Sequence, residues 1–200
     1  MKNPEAVKER ILAAATELIE QGNGNIAEIN TRAIAEKANV ATGLVNYHFQ
    51  SKDHLVTLCV QRIVSRVVSG FAPEEKAYST DEARLADWAA RVFEFLFANP
   101  SISRISILGD LADYGADSNS AHTRLGFTHA LRADVPQENR ALLAFVLTTA
   151  MQAAFLSAKS GVGGLGYDFS TPQSRGAFIT RLVSMLCNGA TQQPVKEISL

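Results

Sequence analysis

The sequence predicts an all-α protein of about nine helices, with an N-terminal three-helix helix-turn-helix head and a C-terminal helical body. Three observations carry this expectation. Apolar residues recur at helical spacing through most of the 200 residues, and no alternating strand pattern of useful length interrupts them. Hydrophobic residues make up 46% and charged residues 20%, which supports a buried core and argues against global disorder. Residues 31–52 read TRAIAEKANVATGLVNYHFQSK. Two short helical patterns there flank a turn at Ala38-Asn39-Val40, and Ser51-Lys52 opens a further helix. That layout suits a helix that enters the DNA major groove.

Residues 4–21 carry an apolar stripe at Val7, Ile11, Ala14, Ala15, Leu18 and Ile19. Pro4 suits the first turn and Gly22 the stop. Asn23-Gly24-Asn25 reads as a loop. Asn30 or Thr31 caps a helix over about 32–38, whose inner face is Ile34, Ala35 and Ala38. Asn39 takes the turn, where a left-handed conformation is expected and asparagine is second only to glycine. The next helix covers about 42–48. Val45 and Phe49 point inward with Val40, leaving Thr42, Gly43, Leu44, Asn46, Tyr47 and His48 on or near the outer face. Ser51 caps a fourth helix over about 52–69, whose wide apolar face suits a connector between two neighbours.

Gly70, Pro73 and the charges between them and Ser79 mark a boundary, and Ser79 with Glu82 has the spacing of a capping box. A helix over 81–98, rich in aromatics (Trp88, Phe93, Phe95, Phe97), stops at Asn99-Pro100. One over 101–114 is expected to bury Ile102, Ile105, Leu108 and Leu111, and residues 120–133 form a weaker helix. Pro136 starts a long helix to about 159. A Gly-rich loop at 161–170 precedes the last helix, capped by Thr171 with Pro172 at its first position. Its inner positions are Phe178, Ile179, Leu182, Val183, Met185 and Leu186. The domains expected are 1–51 (helix-turn-helix), 52–70 (connector) and 71–200 (effector binding and dimerisation).

The net charge of −1 shows no basic footprint over the whole chain; a small head can still be basic where a larger body is acidic. Cys59 and Cys187 match neither a zinc spacing nor a CxxC pair, and read as buried thiols of a reducing cytosol. No signal peptide is visible behind MKNPEAVKER, so a cytoplasmic protein is expected. Residues 141–158 are uncharged and at the edge of membrane-span length. Their alanines and polar residues favour a helix buried within protein, so no membrane is expected.

Residues 8–58 resemble the N-terminal domain of TetR-family transcriptional regulators. The shared features are the Ala-rich opening helix ending at Gly22, Ile34-Ala35, Ala38, Val40, Gly43, His48-Phe49 and Ser51-Lys52. The resemblance implies a three-helix reader, a connector helix, and a body that dimerises and binds a small molecule. Four positions depart from the usual pattern. Asn39 replaces a common glycine, Ala41 a frequent serine cap, Leu44 a phosphate-touching Ser or Thr, and Asn46 a common tyrosine.

The DNA-binding candidates are Thr31, Arg32, Thr42, Gly43, Leu44, Asn46, Tyr47, His48 and Lys52. Base edges are read from the N-terminal end of the second helix, here Thr42, Gly43 and Leu44, with Asn46 and Tyr47 a turn later. Gly43 permits close backbone approach, and Leu44 suits a thymine methyl. Arg32 matches a family position that reaches a base. Tyr47, His48 and Lys52 are phosphate candidates, beside the amides of the Ser51-Lys52 helix start. A bidentate contact discriminates by ~1–3 kcal/mol, against the ~4–10 kcal/mol that separates specific from non-specific binding. One head falls short, so a homodimer on a palindromic operator is expected, with heads ~34–36 Å or a multiple apart. Helices about 136–159 and 172–188 have the apolar surface for a four-helix interface.

If helices 81–98, 101–114 and 136–159 converge, Trp88, Val92, Phe95, Leu108, Phe127, Met151 and Phe155 line an apolar pocket for a small-molecule effector that releases a repressor from DNA. Two rivals keep the DNA-binding head but switch it by a protein partner or by cysteine oxidation. A third, a helical enzyme, would use His122 and His129 with Asp134 nearby. No metal-ligand motif or nucleophile elbow accompanies them, so neither enzyme, cofactor nor metal is expected.

Overall fold

The computed structural model describes residues 4–22, 29–70, 78–131, 135–158 and 165–190, and every regular element among them is a helix. In chain order these are α1 (Pro4–Gln21), α2 (Thr31–Ala38), α3 (Thr42–Phe49), α4 (Lys52–Gly70), α5 (Asp81–Ala98), α6 (Pro100–Ala112), α7 (Asn119–Ala130), α8 (Gln137–Ser157) and α9 (Pro172–Ala190). The all-α expectation holds. The loop at 23–25, most of the 70–79 boundary, the start of the Gly-rich loop, Asp134 and the tail beyond Ala190 lie outside the described residues. Two compact units form: residues 1–72 with 98–119, and residues 73–97 with 120–200. The first unit therefore takes in α6, which packs on α4, whereas the linear reading groups α6 with 71–200.

In the first unit α1 supplies a buried stripe of Val7, Ile11, Ala14, Ala15 and Ile19, and α2 supplies Ile34, Ala35 and Ala38. Val45 and Phe49 of α3 and Leu55, Val56 and Cys59 of α4 complete this core. Three ion pairs bring helices together at its rim: Lys37–Glu17 at 2.9 Å, Arg62–Glu9 at 2.6 Å and Arg66–Glu20 at 2.7 Å. All are partly exposed, so each is worth ~0–1 kcal/mol and fixes helix register more than it stabilises.

Helix α6 corrects the sequence reading. It buries Ile102, Ser103, Ser106, Ile107 and Asp110, while Leu108 is 47% and Leu111 61% exposed. The buried stripe is rotated away from the leucines because small polar residues permit close approach. A Cβ added at Gly109 would sit 3.4 Å from the Thr57 side chain on α4. Asn119 Nδ2 donates to the Ser106 hydroxyl at 3.0 Å, giving one buried polar pair its partner. Leu108 thus faces away from the core and does not share a unit with the other six pocket candidates.

The second unit is built on aromatic contacts. Phe93, fully buried, lies 5.0 Å from Phe97, 5.7 Å from Phe169 and 5.5 Å from Phe178 between ring centroids. Phe155 of α8 meets Phe97 edge-on at 5.3 Å. Arg84 donates to the Ala130 carbonyl at 3.2 Å, at the end of α7, where a cation meets the negative pole of the helix. The cap of α5 is Thr80, not the expected Ser79: the Ala83 amide donates to its hydroxyl at 3.1 Å. Thr171 caps α9 through the Ser174 amide as expected.

Helix α8 is long and apolar enough to cross a membrane, with a mean hydropathy of 1.4. Leu143, Ala144, Leu147, Thr148, Met151, Ala154 and Phe155 are nevertheless buried, and it packs on α9. On α9 Phe178, Ile179 and Val183 are buried, but Met185, expected inside, is 59% exposed.

Candidate nucleic-acid interface

The interface begins with two local devices that set the angle between α2 and α3. The Asn30 side chain accepts from the Ala33 amide at 2.9 Å, so Asn30 is the cap, not Thr31. At the other end Asn39 adopts φ 51°, ψ 55°. The Asn39 amide donates to the Glu36 carbonyl at 3.1 Å and the Val40 amide to the Ala35 carbonyl at 3.0 Å. These two bonds make a Schellman closure, which ends a helix abruptly and reverses the chain. A left-handed residue is required there, and asparagine meets the requirement at modest cost.

Helix α3 starts without a side-chain cap, since Ala41 has none to offer. A serine at this position would accept from an amide of the first turn. We therefore expect Ala41→Ser to raise the midpoint of urea unfolding by the equivalent of about 0.5–1 kcal/mol; an unchanged midpoint would show that solvent satisfies these amides equally well.

Between α3 and α4 stands a feature with no signal in the sequence. Gln50 has φ 62°, ψ −45°, and the Ser51 amide donates to the Phe49 carbonyl at 2.6 Å. This is a γ-turn of the rare, strained hand. Only Gln50 and Ser51 lie between the two helices, so the chain must change direction within a very short link. Ser51 then caps α4 through the His54 amide at 3.1 Å.

On this frame Thr42, Gly43, Leu44, Asn46 and Tyr47 are exposed, with Leu44 37% and Tyr47 78% accessible. Val45 and Phe49, at 2% and 1%, anchor the opposite face. A Cβ added at Gly43 would meet nothing within 4 Å, so nothing among the described residues requires glycine there. His48 is half-buried, edge-on to Tyr47 with ring centroids 5.1 Å apart. Thr31 and Lys52 are half-buried at the starts of α2 and α4. Arg32 is exposed, its Nε 3.0 Å from Glu36 one turn on. Thr31 and Arg32 thus lie at the start of α2, Lys52 at the start of α4, and Thr42, Gly43, Leu44, Asn46, Tyr47 and His48 along α3.

The candidates for a body pocket divide. Phe127, Met151 and Phe155 are buried in the core of the second unit, while Trp88, Val92 and Phe95 are half-buried. Trp88 lies against α7, 3.9 Å from where a Cβ on Gly126 would stand. Leu108 belongs to the first unit, as described above.

Both cysteines sit where the thiol is favoured over the thiolate, the form that reacts with oxidants. Burial pushes the Cys59 thiol up, against weaker opposing effects from Thr16 and Arg62. Burial, then the Glu82 and Asp81 carboxylates, push Cys187 up to about 11. His122 and His129 are exposed, and no group of three His, Cys, Asp or Glu fit for a metal occurs among the described residues.

Residues 11–59 match the family model of bacterial regulatory proteins of the tetR family. Comparison with curated proteins gives no significant match. Among solved structures, the chain is similar to a TetR transcriptional regulator from Rhodococcus sp. RHA1, with 20% identity, a TM-score of 0.62, and coverage of 96% of this chain and 100% of that one. It is also similar to a candidate TetR-family regulator from Mesorhizobium loti, at 17% identity and TM-score 0.54, covering 94% of this chain and 98% of that one. A third is Salmonella enterica GusR, at 17% identity and TM-score 0.51, covering 94% and 97%. Residues 11–59 thus match the tetR-family model, and the chain as a whole has the fold of the solved TetR-family regulators to which it is similar.

Proposed function

We propose that the protein is a transcriptional repressor that binds a palindromic DNA operator as a homodimer and is released by a small apolar ligand held in its C-terminal body. The observation that carries this reading is the α3 surface: five exposed residues, one a glycine with open space above it, on a helix anchored by Val45 and Phe49. A glycine that its own protein does not need suits close approach by an outside molecule. Thr42, Gly43, Leu44 and Asn46 then face base edges, Arg32 exchanges Glu36 for a guanine, and Thr31, Tyr47, His48 and Lys52 hold phosphates.

The homodimer reading is supported by Leu142 and Phe145 of α8 and Met185 of α9, at 62%, 49% and 59% exposure. Large apolar residues displayed on a long helix pair suit a second copy of the same helices. For the effector, Trp88, Val92 and Phe95 on α5, with Phe127, Met151 and Phe155 opposite, are the wall we assign. The ligand must bind the DNA-incompetent state better, and coupling of ~1–3 kcal/mol is typical. Residues 1–51 read, 52–70 connect, and 71–200 sense and dimerise, in a cytoplasmic protein that needs no cofactor.

Selection of bound duplexes from a random library, repeated with cell extract, tests the reading. An inverted repeat whose enrichment is lost in the presence of extract supports it. Enrichment of a single half-site would contradict the dimer, and indifference to extract the effector.

A further inference from the structure

We infer that Arg10 of α1 is a DNA phosphate contact, seated in a groove between α1 and the helix-turn-helix. The inference rests on the DNA-binding reading above and extends the contact surface to a helix outside the motif. The groove, about 570 Å³, is lined by Val7, Arg10, Ala35, Glu36, Asn39, Val40, Ala41 and Leu44. It runs beside the tip of α3, the part of the head that approaches base edges. Whatever flanks the entered major groove is sugar–phosphate backbone, so the groove and the strand beside α3 meet.

Charge selects the residue. Among the described cations of this unit, Arg32, Lys37, Arg62 and Arg66 are each held by a carboxylate at 3.0 Å or less, and Lys8, Lys52 and Arg104 do not line the groove. Arg10 is exposed, and among the described residues its side chain makes no ion pair or hydrogen bond. A guanidinium kept clear of carboxylates keeps its donors for an incoming anion, and it engages phosphate oxygens in a bidentate fork. Glu36 also lines the groove, paired with Arg32 in the free protein, and Arg10 stands as the positive charge beside it.

A phosphate contact has a signature that a base contact lacks: it weakens binding to all sequences alike and lowers the salt dependence by about one counterion per contact. The test measures the affinity of wild type, Arg10→Ala, Arg10→Lys and Arg66→Ala for a selected duplex and a scrambled one across ionic strength, with helicity and melting recorded for each. Arg10→Ala is expected to weaken both duplexes by a similar factor and to reduce the slope of log affinity against log salt by about 0.9 per head. Arg10→Lys should retain most of that slope, and Arg66→Ala all of it. An unchanged slope for folded Arg10→Ala overturns the inference, as does a loss confined to the selected duplex, which marks a base contact. If wild type binds no duplex at any ionic strength, the DNA-binding reading itself falls, a result distinct from either.

Discussion

Replacing Phe49 by alanine is expected to destabilise the head by about 3–5 kcal/mol, the range for emptying a buried aromatic site. Phe49 is 1% exposed, at the last turn of α3. Together with Val45 it is the whole buried contribution of that eight-residue helix. A helix so short has little stability of its own and depends on tertiary packing. Domains of this size hold together by ~5–15 kcal/mol, so the loss consumes a large share of the total. Urea unfolding should show a markedly lower midpoint, and duplex binding should fail because the reading helix is no longer held. Tyr47→Ala, two residues earlier and 78% exposed, should leave the midpoint within about 0.5 kcal/mol. Its binding should weaken by roughly tenfold per head if it holds a phosphate. Equal midpoints for the two variants would contradict the assignment of inward and outward faces.

The second large effect belongs to the body. The Arg175 guanidinium donates to both Glu94 carboxylate oxygens, at 2.8 and 2.7 Å, and to the Phe169 carbonyl at 2.8 Å. Its central carbon stands 4.9 Å over the Phe97 ring. One side chain thus binds α5, the start of α9 and the segment before it. Arg175 is 11% exposed but Glu94 is 42% exposed, so the pair is screened on one side and its loss costs less than that of a fully buried one. Arg175→Ala is expected to cost about 2–4 kcal/mol, since it strips the bonds and the cover over Phe97 together. Arg175→Met should recover part of that by restoring the apolar cover. Its hydrogen bonds to the Glu94 carboxylate raise the Arg175 pKa above its ordinary value. A raised pKa adds stability that is fully present below the unfolded value and lost only as pH rises past the folded one, so the titration of Arg175 itself changes nothing between pH 6 and pH 9. Melting measured at pH 6 and pH 9 checks this: the gap between wild type and Arg175→Ala should not change through the arginine.

The reading head was legible because its signals are local. Asn30, Asn39 and Ser51 each act on backbone groups a few residues away, and a cap or left-handed turn needs no distant partner. Gln50 was not legible, since glutamine carries no turn signal and its strained φ follows from two helices meeting with only Gln50 and Ser51 between them. Helix α6 misled for the opposite reason. Its leucines follow a helical period, but α4 selected the face with Ser103, Ser106 and Gly109, where backbones approach closely. Periodicity reports that a face is apolar; it does not report which face a neighbour takes. The same limit applies to Met185, whose apolar character fits an interior or an interface equally. The pocket residues were harder still, because Phe127 and Met151 pack as an ordinary core does, and a core and a ligand wall draw on the same residue types.

Chemical protection of a selected operator by dimethyl sulfate tests the central claim most directly, because the reagent methylates guanine N7 in the major groove and adenine N3 in the minor groove. With α3 of two heads inserted, guanine N7 should be protected in two patches about one helical turn, ~34–36 Å, apart or a multiple of it, while adenine N3 stays reactive. Protection confined to adenine N3, or none at saturating protein, would contradict a major-groove reading by α3.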